Sequence, residues 1–227
     1  MEDRSVEATE REEEEILLSP RGRMGAVMVV GGGVSGVQAS LDLAGLGYRV
    51  YLVDESAAIG GRMAQLDKTF PTNDCSMCIL SPKLVECYRH PDIDIITNAS
   101  VRKIEGEAGD FTIRVTKRPK YVDESKCVGC GACARYCPVK IPDPFNENID
   151  SIKCIRVPSA QAVPLVSVVD PEACLFLTKQ ECKICYPVCK NRAIDFTQKE
   201  EELELRVGAV VLSPGYRPFD PSSKAEY

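Results

Sequence analysis

The sequence predicts an α/β fold built on a parallel sheet and interrupted by a smaller, inserted α+β domain. Three observations carry this prediction. A short apolar run, Ala26 to Val30, passes directly into Gly31-Gly32-Gly33-Val34-Ser35-Gly36. Cys127 to Pro138 reads CVGCGACARYCP, and Cys174, Cys182, Cys185 and Cys189 repeat its pattern with one wider gap. After that repeat Leu203, Leu205 and Val207 alternate with polar residues, and Gly208 to Leu212 returns to the apolar composition of the first run. A chain that begins a parallel sheet, leaves it for a cysteine-rich segment and then resumes it holds one domain inside another.

The 227 residues suffice for one large or two small domains. The net charge is −6, of which Glu12 to Glu15 supply four charges; the near-neutral remainder argues against a nucleic-acid surface. No apolar run approaches membrane-spanning length and no signal peptide precedes the first strand. Residues 1–23 are acidic and aperiodic and read as a disordered leader. Met24, just before the first strand, is an alternative start.

Ala26 to Val30 is expected to be a buried parallel strand. Gly31, Gly33 and Gly36 then fit G-x-G-x-x-G, with Val34 and Ser35 inside the same loop. In that pattern the first glycine makes the tight turn, the second admits a pyrophosphate, and the third lets the next helix close on the strand. The helix is expected over Gly36 to Leu46, stopped at Gly47. A second strand, Arg49 to Val53, ends at Asp54, which lies 21 residues after Gly33 and is followed by Glu55. An acid at that offset binds a ribose hydroxyl, so the unit reads as a Rossmann-like dinucleotide site. A purely structural βαβ turn is the alternative. Gly60-Gly61-Arg62-Met63 follows closely. A second glycine pair just after the ribose acid is a feature of two-dinucleotide-domain flavoproteins, which favours FAD over NAD and adds Gly61, Arg62 and Met63 to the candidate site.

A third strand is expected at Asp94 to Thr97, then a hairpin of Val101 to Ile104 and Phe111 to Val115 around Glu107-Ala108-Gly109-Asp110. Phe111, Ile113 and Val115 alternate with polar residues, so one face is buried. Lys117-Arg118-Pro119-Lys120 reads as a solvated linker, with a docking edge as the other reading. Residues 24–118 thus form the first part of the larger domain.

The insertion spans 119–197. C-x2-C-x2-C-x3-C-P is the spacing of a bacterial-type ferredoxin cubane, and its fourth cysteine serves the neighbouring cluster. This pairs Cys127, Cys130, Cys133 and Cys189 on one 4Fe–4S cluster, and Cys137, Cys174, Cys182 and Cys185 on another. Gly129 and Gly131 let the backbone bend and aim N–H groups at the sulfurs. Structural zinc is the competing reading, but it uses separated C-x2-C knuckles or Cys/His mixtures, and the single histidine, His90, is distant in sequence. Disulfides are a third reading, without a sign of export to support it. In cluster spacing, twelve cysteines suggest a reducing cytoplasm. Ile141 to Val169 is proline-rich and reads as an irregular wrap, and Arg192 to Phe196 as the strand that closes the ferredoxin-like unit.

Residues 198–227 return to the larger domain. Gly208 to Leu212 reads as a buried parallel strand ending in Ser213-Pro214-Gly215. Related flavoproteins usually carry Ala-Thr-Gly there; Gly215 is retained, and Pro214 removes a backbone donor.

GGGVSG, IGGRM, DKTFPTNDCSMCILSPKLVE, RHPDIDI, KRPKYVDESKCVGCGACARYCPV and AQAVP in succession closely resemble the A subunit of heterodisulfide reductase, a family of cytoplasmic flavin and iron–sulfur proteins. The resemblance covers about residues 25–227. It implies an FAD-binding domain with a ferredoxin module inserted in it, and electron transfer among flavin, clusters and partner subunits. In the best-known members the flavin splits electron pairs between a high-potential and a low-potential acceptor. The chain stops twelve residues after Gly215, so it reads as a truncated or short form, lacking the second dinucleotide domain and the N-terminal domain of methanogen members. Cys75 and Cys78 form a C-x2-C pair beside the flavin region. A redox dithiol, ligands of a third cluster completed by Cys87, Cys154 or a partner chain, and two buried free thiols are the open readings. Lys68 either approaches the flavin ring or is a plain surface lysine.

The expectation is therefore a Rossmann-like FAD-binding domain interrupted by an inserted α+β, two-cluster ferredoxin-like domain. The function is electron transfer between FAD and 4Fe–4S clusters within a heterodisulfide-reductase-type complex. The expected partners are the other components of that complex and electron donor or acceptor proteins. A non-catalytic cluster-bearing relay with an empty flavin site, and a zinc-stabilised interaction module, are the rivals.

Overall fold

The structure, a computed structural model, describes residues 25–216 and Lys224. The expected disordered leader, Met24 and, apart from Lys224, the end of the return segment after Tyr216 lie outside the described residues.

Strand β1 (Ala26–Val30), helix α1 (Val34–Gly45) and strand β2 (Arg49–Val53) follow as the periodicity requires, the helix beginning two residues earlier than expected. With β3 (Ile93–Ile96) and β11 (Ala209–Leu212) they build a parallel sheet in the order β11-β1-β2-β3. The register pairs Val30 with Val53 on one side and with Leu212 on the other. The carboxyl ends of β1, β2 and β11 are therefore level, and the chain leaves all three along one edge. This is where open α/β sheets bind ligands.

Side chains of β1 alternate between the two faces of the sheet. On one face Val29 joins Val37, Val50, Leu52, Leu80, Leu84 and Cys87 beneath α1 and α2 (Ser76–Arg89). On the other, Ala26 and Met28 join Val53, Ile113, Val115 and Val207. These last three come from an antiparallel sheet ordered β10-β5-β4, made of β4 (Ala99–Glu107), β5 (Asp110–Lys117) and β10 (Glu201–Val207). Each fully buried Val, Leu or Met contributes roughly 1.5–3 kcal/mol, so both layers are anchored by ordinary apolar burial.

Three differences from the sequence reading have physical reasons. The hairpin is longer than expected, because backbone pairing continues through polar pairs such as Lys103–Arg114 and Glu105–Thr112. Strand β11 was expected to be buried; it is an edge strand among the described residues, paired only with β1, and Leu212 is 68% exposed. The stretch Lys117 to Lys120 is not a solvated linker. Lys120 is 3% exposed, and its Nζ donates to Thr97 Oγ1 at 2.6 Å and to Glu124 Oε2 at 3.1 Å. Lys117 reaches the other Glu124 oxygen at 3.2 Å. Burial lowers the pKa of Lys120, and Glu124 opposes that shift. Two carbonyls of the same stretch, those of Arg118 and Pro119, accept hydrogen bonds from the Asn98 side chain.

The inserted segment closes where Asp123 N–H donates to the Ala193 carbonyl at 2.7 Å and Asp195 N–H to the Tyr121 carbonyl at 3.0 Å. The closing strand expected at Arg192 to Phe196 is reduced to this single bridge, Val122 with Ile194. Between the two ends lie α3 (Ala132–Tyr136), β6 (Lys140–Pro142), β7 (Ser151–Lys153), β8 (Ile155–Arg156), β9 (Val168–Val169), α4 (Leu175–Lys179) and α5 (Cys185–Val188). The segment expected to be an irregular wrap thus carries two ribbons, β6-β7 and β8-β9. The small core is Val122, Ile155, Val166, Val169, Ala193 and Ile194 together with buried Cys133 and Cys154.

Candidate flavin and cluster sites

Helix α1 points its N-terminus out of the carboxyl edge of the sheet. Its cap residue, Gly33, offers no side-chain hydrogen bond, and its first turn holds no acid. The first N–H groups of such a helix are free to meet an anion. A Cβ on Gly33 would touch nothing within 4 Å, so this side of the loop is open. Gly36 is the opposite case: a Cβ there would overlap the Gly31 carbonyl, and only glycine lets α1 close on β1. Gly60 N–H donates to the Gly32 carbonyl at 2.7 Å, and a Cβ on Gly61 would stand 2.8 Å from the Gly33 Cα. The two glycine clusters that the sequence separates are packed together.

Asp54 follows β2 at the same edge. Its Oδ2 accepts the Gly32 N–H at 2.5 Å and its Oδ1 the Ser56 N–H at 2.7 Å. Each carboxylate oxygen keeps a lone pair for a sugar hydroxyl. Glu55 turns its side chain outward while its carbonyl accepts from Arg118 at 2.7 Å. Gly31, Gly33, Val34, Ser35, Gly36, Asp54 and Gly61 are thus assembled at one place. Gly215 lies on the exposed chain just past β11, whose following residue Ser213 donates its N–H to the Val30 carbonyl at 2.8 Å. Arg62 and Met63 are engaged elsewhere. Arg62 pairs with Glu147 of the insertion and donates to Gln65 at 3.0 Å, and Met63 packs on the core under α1 and α2. Gln65 also donates to the Phe145 carbonyl at 3.0 Å. A cavity of about 440 Å³ lies along this junction, lined by Ile59, Gly61, Arg62, Phe145 and Arg156 among others.

The eight motif cysteines fall into two groups. Cys127, Cys130, Cys133 and Cys189 line one cavity of about 360 Å³ beside α3 and the end of α5. Cys137, Cys174, Cys182 and Cys185 line a second, much tighter one of about 20 Å³. Gly129 holds the first loop at φ +64°, and a Cβ there would lie 2.5 Å from Leu165 Cγ. Two sulfurs of the first group accept backbone N–H groups, Cys127 from Ser167 at 3.5 Å and Cys189 from Ala193 at 3.3 Å. Burial pushes the Cys133 thiol up, and pushes Cys185 up to about 12. Among the described residues no three Cys, His, Asp or Glu side chains converge closely enough to share one metal ion.

The second cavity also holds Cys154, which its isolated place in the sequence did not connect to the motif. Its Sγ donates to the Asp170 carbonyl at 3.4 Å, and burial pushes its thiol up to about 12.

Cys75 and Cys78 are not buried free thiols. They are exposed and joined by a disulfide at the start of α2. Cys87 lies at the far end of that helix inside the core, its thiol raised to about 12 by burial. It does not join the pair. Lys68 is exposed and pairs its backbone with that of Cys75.

Comparison with known proteins finds two family models and several relatives. Residues 26–79 match the family described as FAD dependent oxidoreductase, and residues 120–143 the 4Fe-4S binding domain family. The A subunit of the H(2):CoB-CoM heterodisulfide,ferredoxin reductase of Methanothermobacter marburgensis is 45% identical over 200 residues. The iron-sulfur A subunit of the CoB–CoM heterodisulfide reductase of Methanocaldococcus jannaschii is 47% identical over the same length. The second iron-sulfur A subunit of that reductase in Methanopyrus kandleri is 50% identical, again over 200 residues. These matches cover 88% of this chain and 30% of each relative. No helix among the described residues is long and apolar enough to cross a membrane. Over the matched stretch, the chain is similar to heterodisulfide reductase A subunits.

Proposed function

We propose that this chain is an electron-transferring part of a heterodisulfide-reductase-type oxidoreductase, holding FAD in the larger domain and two 4Fe–4S clusters in the insertion. The observation that carries the reading is the separation of the eight motif cysteines into two groups of four. The last cysteine of each motif lies in the other motif's group, as a two-cluster ferredoxin requires. The first α1 N–H groups bind the pyrophosphate, and Asp54 takes the ribose. Bound flavin supplies two-electron chemistry and bound clusters one-electron chemistry. The chain's own residues fix the relation between the sites. Arg62 and Gln65, beside the glycine loop, hold the insertion through Glu147 and Phe145. The N–H groups on Cys127 and Cys189 stabilise negative charge on those sulfurs and so raise the potential of a cluster bound there. Other components of the complex and protein electron carriers of a reducing cytoplasm are the proposed partners.

The test is anaerobic purification followed by flavin analysis and low-temperature electron paramagnetic resonance. FAD together with two cubane signals on dithionite reduction supports the reading. Clusters without flavin would favour the relay, because the cavity at Gly61 would then have another use.

A further inference from the structure

Ser167 is a polar side chain sealed inside the insertion, 1% exposed. It stands just before β9 and lines the cavity that Cys127, Cys130, Cys133 and Cys189 share. Its N–H donates to the Cys127 sulfur at 3.5 Å, and its Oγ lies 3.5 Å from the Cys133 sulfur. One residue therefore faces two of the four sulfurs through two different atoms. The chain that carries it is pinned on both sides. Before it, the Val163 carbonyl accepts the Ile59 N–H at 2.8 Å, and Leu165 fills the space that a Cβ on Gly129 would take. After it, Val169 N–H donates to the Lys120 carbonyl at 3.1 Å. Contacts with the larger domain, with the first cysteine loop and with the domain junction thus fix the hydroxyl at the cavity wall.

We propose that Ser167 is a positioning residue whose hydroxyl raises the reduction potential of a 4Fe–4S cluster held by Cys127, Cys130, Cys133 and Cys189. This rests on the two-cluster reading and names a side chain that tunes one cluster of the two. Between a free thiol and a hydroxyl, either group can donate. A ligand thiolate carries no hydrogen, so once Cys133 binds iron only the Ser167 hydroxyl can donate. Uptake of one electron, from bound flavin or from an added reductant, leaves the cluster sulfurs more negative. Hydrogen bonds to a charged acceptor are stronger than those to a neutral one. A donor already fixed beside Cys133 therefore stabilises the reduced state more than the oxidised one, and the potential rises. Burial strengthens the effect, because the local dielectric at this wall is low. The hydroxyl acts on one cluster, since Ser167 lines the first cavity and not the second.

The test uses the whole 227-residue chain, purified anaerobically and titrated with dithionite in the presence of redox mediators. Low-temperature electron paramagnetic resonance follows each cluster. Cys130→Ala and Cys182→Ala, which strike the first and the second cluster in turn, assign the two signals. Ser167→Ala removes the hydroxyl and keeps the N–H on Cys127. Its first cluster is expected to reduce with an equilibrium constant about tenfold lower, a fall of about 59 mV for a one-electron couple. The second cluster keeps its potential. Ser167→Thr retains the hydroxyl and is expected to retain the potential of the unsubstituted chain. An unchanged first cluster in Ser167→Ala, an equal shift of both clusters, or the same shift in Ser167→Thr overturns the proposal. So does loss of the first cluster from Ser167→Ala, which would make the side chain a structural support alone. Absence of both cubane signals from the unsubstituted chain is a different result: it defeats the proposed function, and this inference with it.

Discussion

Gly31 and Ser213 meet backbone to backbone, although the whole insertion separates them in sequence. Gly31 adopts φ +105°, and a Cβ on it would overlap the Ser213 carbonyl. The glycine loop and the returning strand therefore close on each other only because Gly31 has no side chain. Gly31→Ala combines backbone strain with a clash against main chain, which has no rotamer to yield. We expect a loss of about 3 kcal/mol, read by denaturant unfolding, together with loss of bound flavin. Unchanged stability would show that the loop reaches its conformation without the Ser213 contact.

Lys120, Glu124 and Lys117 give the junction between the domains a pH dependence. Burial alone would raise the Glu124 pKa, but Lys120 and Lys117 together hold it below its ordinary 4.5. A carboxyl depressed in the folded state contributes stability that is present above 4.5 and lost as pH falls through its folded value. Glu124 is 36% exposed, so after solvent screening the contribution is about 0.5–1 kcal/mol. Glu124→Gln should flatten the acid limb of stability by that amount, measured against the unsubstituted chain at each pH.

Cys137 belongs to the first motif by sequence and to the second cavity by position. Cys137→Ala is therefore expected to perturb the cluster held by Cys174, Cys182 and Cys185 and to spare the other. Paramagnetic resonance that shows damage confined to the Cys127 cluster would falsify the pairing.

Cys154 shares that second cavity but donates its thiol hydrogen to the Asp170 carbonyl. It also lies outside both runs of motif spacing, so we expect it to hold no iron. Cys154→Ala should keep the full iron count and cost about 1 kcal/mol from lost packing. Loss of about half the iron would make Cys154 a ligand.

Much of this arrangement was legible in the sequence, because its signals are local. The apolar run into Gly31, the acid at Asp54 and the cysteine spacing each constrain a few neighbouring residues, and the parallel sheet follows from them. What stayed hidden depends on partners far along the chain. Lys120 looks like any charge in a basic run; only Thr97 and Glu124 around it make it a buried anchor. Arg62 sits in a glycine motif, yet its partner is Glu147 of the insertion. The half-exposed state of β11 depends on what lies beside it, which its apolar sequence does not record. Cys75 and Cys78 had three open readings, and their outward position on α2 removes the buried one.

The central claim is that the insertion carries two cubane clusters. Iron and acid-labile sulfide per chain, measured on anaerobically purified protein, test it most directly. The account predicts about eight of each. Stoichiometric zinc with little sulfide, or about four irons and four sulfides, would contradict it.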